Sequence, residues 1–239
     1  MSNHIVKSFD EDLALLKSML AQMGGLAEEQ LADAIDALAR HDTALADQVI
    51  AADERIDVLE RQIEEKAVLT IARRQPMAHD LREIMAAIRV ANDLERIGDL
   101  AKNTAKRTHA IAEPLPRKLA TGLARMGRLA QEELNLILDA YVHSDVDKAM
   151  QVWRSDEDLD ALYNSIFREL LTYMMEDPRN ISLCTHLLFG AKNMERIGDH
   201  ATNIAETVHY LVNGTTIIEG RPKKDVTSTQ RLEQRDSGE

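Results

Sequence analysis

"ANDLERIGDLAKNTA" (Ala91–Ala105) and "AKNMERIGDHATNIA" (Ala191–Ala205) are two versions of one segment, identical at nine of fifteen positions and one hundred residues apart. Each sets a glutamate and an aspartate four residues apart, Glu95 with Asp99 and Glu195 with Asp199, and puts Gly98 or Gly198 beside the aspartate. The apolar residues around them keep helical spacing, so the segment reads as helix interior, where a glycine costs about 1 kcal/mol relative to alanine. Like charges one turn apart destabilise a helix slightly. A chain that repeats so unfavourable a combination reads as a tandem duplication.

The copying extends upstream. Met23-Gly24 matches Met126-Gly127, Asp42 matches Asp145, Asp53 matches Asp156 and Asp57 matches Asp160, all at an offset of 103. By the Glu-Arg-Ile-Gly-Asp segment the offset is 100, so three residues are lost around the second hairpin. Breaks fall near His41-Asp42, Gln75-Pro76, Pro114-Pro116, Ser144-Asp145 and Asp177-Pro178. They leave six long helices, about 8–40, 43–75, 77–113, 117–143, 145–176 and 179–213. No period-2 run or hairpin signature interrupts them. The expected fold is all-α: two pseudo-symmetric antiparallel three-helix bundles, residues 8–113 and 117–213. From residue 215 to 239 the chain turns polar and loses its apolar period, which predicts a disordered tail.

Composition agrees. The 239 residues are 44% hydrophobic but only 3% aromatic, and Phe9 is the one aromatic among the first 140, so the core is aliphatic. A formal charge of −12 argues against nucleic acid as main partner and suits cations. The lone Cys184 sits in an apolar stretch and reads as core. The start has no apolar run of signal-peptide length, and no stretch approaches the ~18 apolar residues that span a bilayer, so the expectation is a cytoplasmic protein.

The acidic spacing recurs on the second and fifth helices, as Asp53 with Asp57 and Asp156 with Asp160. The midpoint between residues 55 and 97 falls at Pro76, and that between 158 and 197 at Asp177-Pro178. In antiparallel hairpins the paired motifs therefore share one height, roughly 30 Å from the turn. The seam of the third helix, traced through Leu81, Ile84, Ile88 and Ala91, places Glu95 and Gly98 on the packed face.

Four carboxylates at one level need cations. Arg96 and Arg196 follow their glutamates directly and point about 100° away. Lys102 can reach Asp99, but Thr202 replaces it in the second repeat, so a basic compensator is not repeated, whereas Asn103 and Asn203 are. Oxygen-rich sites suit hard ions such as Fe, Mn, Mg or Ca, with Zn allowed. Gly98 and Gly198 then make room for a close backbone or a cluster. A lone acidic pair is ordinarily a solvated helix face, and a passive scaffold with solvated stripes is one alternative. A carboxylate-bridged di-metal oxidase is another. Its Glu-x-x-His spacing occurs once, as Glu206 and His209, where the first repeat has Lys106 and His109. No phosphate loop, nucleophile elbow or Cys-His pair is present to suggest an enzyme.

These segments, with "ARRQPMAHDLREI" and "ADERIDVLERQIE", resemble the PhoU family of accessory proteins of bacterial phosphate-specific transport. The resemblance spans residues 8–213. It implies two three-helix bundles, no enzymatic activity, and multinuclear metal clusters on the acidic face. Its metal ligands carry over onto Asp53, Asp57, Glu95, Asp99, Asp156, Asp160, Glu195 and Asp199. It implies a negative regulator that links the phosphate ABC transporter, through its ATPase subunit, to a sensor histidine kinase. Such proteins are commonly homodimers and meet the inner membrane only through partners. Leu100 stands where the second copy has His200, so the first site is expected to be drier or to bind differently.

Overall fold

A computed structural model describes the backbone of residues 2–218 and the side chains of 9–218. Six helices follow one another: α1 (Ser2–Arg40), α2 (Thr43–Arg74), α3 (His79–Ala110), α4 (Arg117–His143), α5 (Val146–Glu176) and α6 (Ile181–Asn213), with a 3-10 turn at Pro178–Asn180 before α6. Among the described residues there is no strand. The breaks lie where the sequence places them. Asp42 and Asp145 cap α2 and α5, each accepting the backbone N–H three residues on at 3.0 Å. His41 and Ser144, just before them, both take the left-handed conformation that ends a helix. Of the tail expected to be disordered, residues 219–239 lie outside the described region; within 215–218, Ile217 packs against the core.

Helices α1–α3 form one bundle and α4–α6 the other, and the two share a single apolar core. They meet through α3 against α6 and α1 against α4. The first contact is antiparallel: Asn193 Nδ2 donates to Thr104 Oγ1 at 3.3 Å, while His200 Nδ1 lies 2.9 Å from Asp93 Oδ1. Because α3 packs on α1, α2 and α6, its buried face is much wider than the seam read from sequence. That seam is also displaced at its start, where Leu81 is exposed.

The α1/α4 contact explains the repeated Met-Gly pair. A methyl group built on Gly24 would meet Leu138, and one on Gly127 would meet Ile35; Ile35 and Leu138 are themselves equivalent at the offset of 103. The equivalent position thus enters the equivalent groove twice, as isoleucine from the first repeat and as leucine from the second. The neighbouring Gly25 has no such duty, because a methyl group there meets nothing within 4 Å. Gly25→Ala should therefore stabilise the fold by about 1 kcal/mol through helix propensity and unfolded-state entropy. Urea denaturation checks this, and a loss of stability would show that the position is strained.

Candidate functional site

The hairpins α2–α3 and α5–α6 bring the acidic motifs to matched heights. Gly98 of α3 lies against Ile56 and Asp53 of α2, and Gly198 of α6 against Leu159 and Asp156 of α5. A methyl group on Gly98 would fall 2.9 Å from Ile56, and one on Gly198 2.5 Å from Leu159. The glycines are therefore needed for close helix approach beside the acids.

In the first repeat the acids are tied to a cation of the chain itself. Asp53 is buried; it accepts a hydrogen bond from Gln30 Nε2 at 3.0 Å and pairs with the Lys102 ammonium. The same ammonium lies 2.6 Å from Asp99 Oδ1. Burial pulls the Lys102 pKa down, but Asp53 and Asp99 more than offset this and hold it well above the ordinary lysine value. Gln30 also donates to the carbonyl of Gly98 at 3.1 Å, which locks α1 onto the site. Glu95 stands further out, half-buried. Its pKa is raised by burial, countered by Arg96, and raised further by Asp99, Glu60 and Asp57. Its Oε2 accepts no hydrogen bond.

In the second repeat the acids lie deeper. Glu133, Asp156, Asp160 and Glu195 are all buried, the most exposed only 4% accessible. Glu133 is the equivalent of Gln30, so a carboxylate replaces the amide, and Thr202 replaces Lys102. Thr202 is buried and donates to the Gly198 carbonyl at 3.0 Å. Lys192 approaches from one turn before: its Nζ lies 2.8 Å from Glu195 Oε1 and 5.0 Å from the centre of the Tyr163 ring. Burial pushes the Glu195 pKa up to about 7; Lys192 lowers it, and Asp199 and Asp160 raise it. Glu195 Oε2 is buried without a hydrogen-bond partner.

Several details depart from the sequence reading. Arg96 does not stay clear of the acids; it bends back to 3.4 Å from Glu95 and 3.7 Å from Asp99, although it is more than half exposed. Asn203 does not extend the acidic stripe but donates to Asp93 across the α3/α6 contact at 3.3 Å. The reason is geometric: each four-residue step turns 40° further round the helix, so residue 203 sits about 80° from residue 195. Asn103 is half-buried one turn beyond Asp99. Glu206 accepts the Trp153 indole N–H at 3.2 Å, and His209 Nδ1 donates to the Thr215 carbonyl at 3.0 Å, so the Glu-x-x-His spacing serves two unrelated contacts. Cys184 is fully buried core, as expected.

Gln30, Glu60, Glu133, Tyr163 and Lys192 join the acidic levels although the repeated acidic spacing does not include them. Gln30 and Glu133 did leave a signal, since both are polar residues at the repeat offset on otherwise apolar helix faces.

Whether these residues fit a metal differs between the repeats. Among the described residues no three His, Cys, Asp or Glu side chains converge as a ready ligand set. In the second repeat the chemistry suits a hard cation: the acids supply only oxygen, and the buried Glu195 Oε2 accepts nothing from the protein. Side-chain rotation would have to draw the ligands in. In the first repeat an ammonium already stands between Asp53 and Asp99.

The sequence matches the PhoU domain twice, over residues 20–108 and 123–208. A relative from Rhizobium meliloti, a phosphate-specific transport system accessory protein PhoU homolog, is 58% identical over 95% of this chain and 96% of its own length. A relative of the same description from Caulobacter vibrioides is 54% identical over 95% of this chain and all of its own. The crystal structure of PhoU from Pseudomonas aeruginosa superposes with a TM-score of 0.80 at 41% identity, covering 87% of this chain and all of that one. The phosphate transport system regulatory protein PhoU from Streptococcus pneumoniae superposes with a TM-score of 0.81 at 29% identity, covering 87% and 99%.

Proposed function

The chain belongs to the PhoU family, and from that premise we propose that it is an accessory regulator of phosphate uptake. The observation that carries this is the near full-length identity to relatives described as accessory to phosphate-specific transport. Its finer role is negative regulation: it keeps phosphate-starvation genes off when phosphate is plentiful, by contact with a sensor histidine kinase and with the ATPase subunit of the phosphate transporter. No described helix is long and apolar enough to cross a membrane, so membrane association in this reading comes through those partners. The protein acts in the cytoplasm as a homodimer and without turnover.

Under the same reading a hard cation is held in the second repeat by Asp156, Asp160, Glu195 and Asp199, with Glu133 behind them. Bound there, it would supply positive charge to a buried acidic cluster. The chain's own contribution is to carry those acids on α4, α5 and α6, with Glu133 and Asp156 both lying against Gly198.

A clean deletion strain tests the role. Starvation genes should be expressed in phosphate-rich medium, and complementation should switch them off. Pull-down from wild-type membranes should recover the kinase's cytoplasmic part or the transporter ATPase. Normal repression and uptake in a strain with no second gene copy would overturn the proposal.

A further inference from the structure

A groove of about 680 Å3 runs between α4 and α5, and none of its lining residues belongs to the acidic motifs. Leu129 and Leu162, both half-buried, floor it, while Arg125, Arg128, Glu132 and Asp158 stand exposed along its walls. The two helices are antiparallel: Lys118 pairs with Glu169 at 2.7 Å, and Ser155 Oγ donates to Glu133 Oε1 at 3.3 Å. These contacts set the heights, so Asp158 falls between Arg128 and Glu132, and Ser165 lies beyond Arg125 toward the start of α4. One end of the groove is cationic and the other acidic. Among the described residues none of the four charged side chains is joined to a partner. At the positions of Arg125 and Arg128 the first repeat has Gln22 and Gly25, so the packing of the bundle does not call for guanidiniums there.

The cationic end continues past the groove. Arg117 is exposed three turns before Arg128 on the same face of α4, and Arg168 is exposed one turn from Ser165 on α5. Residues 117–128 hold four basic residues and no acid, in a chain with 41 acidic residues against 29 basic ones. Arg154, one turn from Asp158, is outside the lining. A uniformly anionic ligand, such as polyphosphate or a lipid headgroup surface, would be repelled at Glu132 and Asp158. A helix can meet the cationic end, the apolar floor and the acidic end at once, because its side chains repeat at the same one-turn steps as those of α4 and α5.

We propose that the α4/α5 groove is a docking site for an amphipathic helix of a partner protein. The helix sets acids over Arg125 and Arg128, an apolar residue on Leu129 and Leu162, and a base against Glu132 and Asp158. This goes beyond a regulator that acts by contact, since it names a surface and the order of charge that the surface accepts.

The probe is a synthetic helical peptide with two glutamates, a leucine and a lysine set one turn apart in that order, titrated by fluorescence anisotropy into the full chain at low salt. Wild type should bind it, and added salt should weaken binding. Arg125→Glu with Arg128→Glu should weaken it by at least about tenfold. Glu132→Gln with Asp158→Asn should weaken the peptide several-fold yet tighten inorganic polyphosphate, because it removes the repulsion. All four side chains are exposed, so circular dichroism should show both variants folded. No peptide binding by wild type, or equal binding by the arginine variant, would overturn the inference. So would tighter binding of polyphosphate or of phosphatidylglycerol vesicles than of peptide. Either failure leaves the regulatory role standing, since the deletion strain tests that separately.

Discussion

Glu195→Gln, in chelator, should be more stable than wild type by about 3 kcal/mol at pH 8 and nearly equal to it at pH 5. The carboxyl is buried, and its pKa is raised from 4.5 to about 7 by desolvation together with Asp199 and Asp160, against the opposing pull of Lys192. A raised folded-state pKa means that the native protein binds this proton more tightly than the unfolded chain does. Its contribution to stability is therefore fully present below the unfolded value and is lost as pH rises through about 7. Glutamine keeps the shape and never ionises, so it removes the penalty at high pH and changes little at low pH. Denaturant melts at the two pH values give the answer, and equal stability at pH 8 would show that the ionised carboxylate costs the fold nothing. Mn2+ should narrow the gap at pH 8, because a cation offsets the same charge in wild type only.

Gly127→Ala should lose about 2–3 kcal/mol, despite the better helix propensity of alanine. A methyl group at this position would lie 2.5, 2.6 and 2.7 Å from three different atoms of Ile35. Ile35 cannot clear the methyl by turning one end, and it is itself packed at the α1/α4 contact. The equivalent Gly24→Ala should cost less, because its neighbour Leu138 approaches with its terminal methyls. Ile35→Ala leaves a cavity of its own, yet combined with Gly127→Ala the losses should fall short of additive by about 1–2 kcal/mol. A double-mutant cycle by urea denaturation measures this coupling, and strict additivity would mean the two residues do not meet.

The backbone of this protein was largely readable from its sequence. Proline positions, the caps at Asp42 and Asp145 and the offset of the copies are local signals, and they located the helices and matched the heights of the acidic motifs. What stayed hidden depends on contacts between helices not adjacent in sequence. Lys102 could be placed near Asp99 by helical spacing, but its contact with Asp53 exists only once α2 and α3 pack. Gln30 lies on α1, whose orientation toward the acidic level no periodicity reveals. Glu60 has no acidic counterpart, since Tyr163 stands at its equivalent, so a search for repeated acids passes over it. The width of the α3 buried face likewise follows from α6 covering it on a side that an isolated bundle would leave open.

The crossed glycine grooves of α1 and α4 give the molecule the internal geometry of a two-fold dimer made within one chain. Two identical subunits meeting that way would have to carry Lys102 at both acidic levels or at neither. Covalent fusion lifts that constraint, because each half can then accumulate its own substitutions while the shared packing is retained. The exchanges Gln30 for Glu133, Asn92 for Lys192 and Lys102 for Thr202 are such departures, and all three fall at the acidic level. Joining the halves therefore did more than hold them together: it allowed a symmetric scaffold to become chemically one-sided.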